Sequence, residues 1–100
     1  MSRRPLQKHL QPAAQPLLRA VRDGLVGLDS WTEAAAQGVV DGVAAAAGVG
    51  LGKVAQPLRV ALTGDVASPG IGVTLWLVGR ERAVARIERA IEVIRAGSQT

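Results

Sequence analysis

The residues of this chain best equipped for chemistry are arginines. Arg59 stands in the run Gln56-Pro57-Leu58-Arg59-Val60-Ala61-Leu62, just after a proline and among apolar neighbours. A lone solvent-facing cation there would be equally well served by lysine. A guanidinium offers a planar fork of donors that addresses two acceptors at once, as on the edge of a nucleobase. The other use open to it is an ion pair within the chain, with Asp65 or another acid. A second set, Arg82, Arg86 and Arg89, falls within roughly 60° on a helical wheel. It is either an ordinary solvated face or a rail of guanidiniums for phosphates.

Other chemistries find little support. His9 is the sole histidine and lies in a proline-flanked segment without a neighbouring carboxylate, so general acid–base catalysis has no second partner. There is no cysteine, and no cluster of His or paired carboxylates at ligand spacing, so neither a metal nor a cofactor is expected. The VGLGK run at 49–53 lacks the first glycine and the final Ser or Thr of a phosphate-cradling loop, and reads as a helix-breaking turn. Glu88 and Glu92 share a face with Glu81 and Arg95 and read as solvated surface. The only aromatics are Trp31 and Trp76. Both sit among apolar helix residues and are expected in the core, which leaves base recognition to arginine, backbone groups and aliphatic contacts. The chain by itself is expected not to be an enzyme.

The elements that must position these residues are helical. Of the 100 residues, 48% are apolar, mostly Ala, Val, Leu and Ile, with no Phe or Tyr. Strong helix formers with small side chains favour an all-α fold with close helix–helix approach. A compact bundle of about five helices is expected. Residues 1–15 read as a loose lead-in and residues 16–97 as one helical domain. A first helix is predicted from about Pro16 to Leu25. A second is capped by Asp29 or Ser30, with Glu33 completing a capping box, and the glycines at 49–52 stop it. A third, short helix holds Leu58, Ala61 and Leu62, with Gly64 at its C-cap. The fourth, Ile71 to Val78, is almost wholly apolar and expected to be the most buried. The last, Glu81 to Ala96, carries Val84, Ile87, Ile91 and Ile94 as one stripe and is expected to end at Gly97.

The net charge of +4 is unevenly spread: +4 over residues 1–28, −3 over 29–52 and +3 over 53–100. Such a balance suits a polyanionic partner. No apolar run approaches the roughly 20 residues that span a bilayer. With cysteine absent, no membrane association is expected and the cytoplasm is the expected compartment.

Gly52-Lys53, Gln56-Pro57-Leu58-Arg59, Ala61-Leu62-Thr63-Gly64, Pro69 and Gly79-Arg80-Glu81-Arg82 occur in that order and spacing. This series resembles the C-terminal anticodon-binding domain of bacterial-type glutamyl-tRNA synthetases, and Trp31-Thr32-Glu33 resembles the start of the preceding helix there. The resemblance implies a helical bundle that grips the anticodon loop of tRNA-Glu. It implies that Arg59 reads an anticodon base, and that Ser68, Pro69 and Ile71 supply further anticodon contacts; that family often has threonine at the place of Ser68. Thr63 and Gly64 are assigned to helix termination. Lys53, Arg80, Arg82 and Arg86 would steer phosphates. The His-Ile-Gly-His type signature and the lysine-rich loop of the synthetase catalytic half are absent from these residues, so glutamate activation is not expected. The competing expectation is a protein-interaction or structural module that docks on a full-length synthetase or self-associates. A DNA-binding helix-turn-helix built from the last two helices is disfavoured by the apolar character of Ile71 to Val78.

Overall fold

The computed structural model describes residues 12–63 and 70–98. A 3₁₀ turn, Pro12–Ala14, leads into five α-helices: α1 (Gln15–Val26), α2 (Glu33–Ala47), α3 (Leu51–Thr63), α4 (Ile71–Val78) and α5 (Arg80–Ser98). No strand occurs among the described residues, so the all-α bundle of five helices stands as the sequence implied.

Pro16 falls in the first turn of α1, where a missing N–H costs nothing. Leu18, Val21 and Leu25 recur at helical spacing and are fully buried. The long partner of α1 is α5, which buries Ala83, Ile87, Ala90, Ile91 and Ile94. The expected stripe is therefore shifted. Val84 is only half-buried, and the two alanines, which look neutral in sequence, lie on the inner face. α5 also begins at Arg80 and runs through Gly97 to Ser98, so that glycine does not end it where expected.

Two further boundaries differ from expectation. Thr32, not Asp29 or Ser30, caps α2: its Oγ1 accepts from the Ala35 amide at 3.0 Å. The cause is tertiary. Trp31 is tied to α4 and α5, its indole Nε1 donating to the Trp76 carbonyl oxygen at 3.4 Å and the Arg80 guanidinium lying 5.5 Å from its ring centroid. That anchorage keeps the chain out of the helix until Thr32. α2 stops at Gly48, whose φ of 69° is the left-handed conformation glycine adopts without strain. The next helix starts at Leu51, a turn and more before the segment expected to be helical, and encloses Pro57. Only one and a half turns precede that proline, so one hydrogen bond is forgone, and burial of Val54, Ala55, Pro57 and Leu58 offsets it.

The largest correction concerns α4. It buries Ile71, Gly72, Thr74 and Leu75, but Trp76 is 45% and Leu77 66% exposed. An eight-residue helix at the margin of the bundle packs on α2, α3 and α5 and leaves its outer side to solvent, whatever its composition. Its approach to α2 is close. A Cβ added to Gly72 would lie 2.9 Å from the Glu33 carbonyl oxygen, and the Gly72 amide donates to Gln37 Oε1 at 3.1 Å.

Candidate nucleic-acid interface

The candidate edge lies at the end of α3 and the start of α4, the two helices that residues 64–69 join in sequence. Arg59 sits on the penultimate turn of α3, half-buried. Its backbone carbonyl accepts from the Thr63 hydroxyl at 2.9 Å, which fastens the last turn. Its Nε is buried and has no hydrogen-bond partner. Three residues earlier, Gln56 is also half-buried, and its Oε1 is likewise buried and unpartnered. Positions three apart lie on one side of a helix. Gln56 Oε1 and Arg59 Nε, like Arg80 Nε on α5, each carry the desolvation cost of a buried polar atom without a partner among the described residues.

Sequence reasoning does not single out Gln56. Its signal is its place in the same Gln-Pro-Leu-Arg run, one turn from the arginine, in a helix that starts earlier than the pattern suggests. Thr63 is the last residue of α3, in keeping with its assignment to helix termination.

The remaining candidates divide. Ser68 and Pro69 lie outside the described residues, as do His9, Asp65 and Gly64. Ile71 stands at the edge, but its side chain is only 2% exposed and packs into the core, so it is not an accessible aliphatic contact. Arg80 is half-buried, donating from Nη2 to the Leu28 carbonyl oxygen at 2.6 Å and lying over Trp31. Arg86 donates from Nη1 to the Leu62 carbonyl oxygen at 2.6 Å. Two of the three guanidiniums expected to steer phosphates thus hold backbone as well. Lys53, Arg82 and Arg89 are exposed and make no ion pair with a described residue. Glu88 meets Arg22 of α1 at 3.9 Å, and Glu92 meets Arg95 at 3.4 Å.

α1, α2 and the first two turns of α3 enclose an open apolar groove of about 920 Å³, lined by small residues such as Ala20, Gly24, Gly38 and Gly42, and Lys53 and Gln56 of α3 border it too. Among the described residues no group of His, Cys, Asp or Glu could hold a metal ion. None of their helices is long and apolar enough to cross a membrane.

Comparison with known proteins gives the class to which this five-helix bundle belongs. The family model described as the anticodon binding domain matches residues 2–91, and the chain belongs to that family. It is 54% identical over 84 residues to the glutamate–tRNA ligase of Myxococcus xanthus, a match that takes in 84% of this chain and 18% of that ligase. The solved structure of a glutamate–tRNA ligase from Elizabethkingia meningosepticum, in complex with its amino acid, superposes with a TM-score of 0.82 at 28% identity over 90% of this chain and 18% of the other. These 100 residues span less than a fifth of the ligases they match and resemble a C-terminal part without the catalytic domain.

Proposed function

We propose that this chain binds the anticodon loop of tRNA-Glu, with Gln56 and Arg59 of α3 reading base edges and Ser68 and Pro69 supplying further contacts. The observation that carries this reading is the half-buried Arg59 near the end of α3, which makes no ion pair with a described residue, in a chain of the anticodon-binding family. A guanidinium and a carboxamide one helical turn apart supply the donors and acceptors that a base edge needs. Exposed Lys53 and Arg82 steer phosphates, whereas Arg80 and Arg86 are committed to the carbonyls of Leu28 and Leu62. The RNA-facing unit is residues 16–97, and its setting is the cytoplasm.

Titration of the chain with tRNA-Glu, followed by amide chemical shifts, tests this. Perturbations are expected on the last two turns of α3 and the first of α4, with affinity falling steeply as salt rises. Shifts that avoid residues 56–71 would overturn the reading. A protein-docking role has one observation in its favour, the apolar groove of α1, α2 and α3. Under it, tRNA leaves the amides unmoved, and the sedimenting mass rises with protein concentration or with added ligase.

A further inference from the structure

We infer that Arg86 is a positioning residue for the base-reading edge and not a phosphate contact. The inference rests on the reading of Gln56 and Arg59 given above.

Arg86 lies on α5, 24 positions from Leu62, yet its Nη1 donates to the Leu62 carbonyl oxygen at 2.6 Å. Leu62 belongs to the last turn of α3, where the final four carbonyls have no partner within the helix. A cationic donor at that end satisfies one of them and opposes the negative pole of the helix. Both ends of the bridge are fixed by packing. The Leu62 side chain is 2% exposed and the neighbour of Arg86 on α5, Ile87, is fully buried, so neither helix surface can drift without disturbing the core. The same turn is fastened from within by Thr63 Oγ1 on the Arg59 carbonyl at 2.9 Å. The backbone of Arg59 is thereby held between an internal hydroxyl and, one turn on, a guanidinium from another helix. The half-buried Arg59 guanidinium can meet a base edge in a fixed place only if that turn does not fray. Arg82, one turn earlier on the same side of α5, is exposed and has no partner among the described residues. It serves as the internal control for a guanidinium with charge alone to offer.

Replacing Arg86 with citrulline, by chemical synthesis of the chain, removes the charge and keeps an N–H donor of the same reach. Arg86→Ala removes both, and Arg82→Ala removes only a free charge. Circular dichroism establishes that each variant is folded. Hydrogen exchange of the amides of residues 60–63 is then read without RNA. Arg86→Ala is expected to speed it by about tenfold, while citrulline and Arg82→Ala leave it within about twofold of wild type. With tRNA-Glu, Arg82→Ala is expected to lower the magnitude of the log–log salt slope by about 0.7–0.9. Citrulline at 86 leaves the slope and the affinity unchanged, and Arg86→Ala weakens anticodon discrimination at an unchanged slope. Unaltered exchange in Arg86→Ala, or a citrulline slope that falls as far as that of Arg82→Ala, overturns the inference. A wild-type chain that binds no tRNA overturns the functional reading instead, and the exchange measurement still decides whether Arg86 holds the end of α3.

Discussion

Gly72 fixes how closely α4 can lie on α2, and Gly72→Ala puts a number on that dependence. The new Cβ would stand 2.9 Å from the Glu33 carbonyl oxygen and 2.9 Å from Gln37 Cβ. Ordinary contacts begin about 0.5 Å further out, and a close-packed interior resists the shift. The first neighbour is backbone within α2, so relief requires the two helices to part. Overpacking of this kind costs about 1–3 kcal/mol. Helix propensity returns up to about 1 kcal/mol when alanine replaces glycine. Parting the helices also weakens the bond from the Gly72 amide to Gln37 Oε1, now 3.1 Å, a further loss of about 1 kcal/mol. The expected net change is a destabilisation of about 1–3 kcal/mol, which in a domain of this size lowers Tm by roughly 4–24 °C. Urea unfolding followed at 222 nm is the assay, with Gly38→Ala as its counterpart. A Cβ at that position would have no atom within 4 Å of it, and alanine there is expected to stabilise by about 0.5–1 kcal/mol. Should Gly72→Ala prove as stable as Gly38→Ala, the close approach of α4 to α2 would be wrong.

Three other outcomes are expected. Arg59→Ala should reduce discrimination between tRNA-Glu and tRNAs with other anticodons by about 1–3 kcal/mol in competition binding; an equal loss across all tRNAs would make Arg59 a phosphate contact. Thr32→Ala should cost about 1 kcal/mol in thermal unfolding through loss of the α2 cap, whereas Ser30→Ala should leave the transition unmoved, the reverse of what the capping-box pattern suggests. Of the two tryptophans, Trp76 should account for most acrylamide quenching because it is 45% exposed, so Trp76→Phe removes the quenchable emission and Trp31→Phe retains it.

Leu18, Val21 and Leu25, or Ile87, Ile91 and Ile94, announce helices because burial of one face imposes a 3.6-residue period that survives in any sequence. The Gln-Pro-Leu-Arg run likewise marks Arg59, since a guanidinium among apolar residues is conspicuous by type alone. Boundaries are less legible where distant contacts set them. Trp31 delays α2 through groups 45 and 49 positions away, and Pro57 conceals a helix because its local cost is visible and its burial is not. Trp76 misleads for the converse reason: apolar neighbours in sequence do not say whether a marginal helix has anything on its outer side.

The sequence by itself determined the class of fold and the family, because these follow from residue type and short spacing. Only the tertiary structure decided what each cation touches. It bound Arg80 to Leu28 and Arg86 to Leu62 across 52 and 24 positions, and left Arg59 Nε, Gln56 Oε1 and Arg80 Nε without partners among the described residues. A charge in sequence has no assigned neighbour; the neighbour that satisfies it, or the lack of one, exists only after the helices have packed.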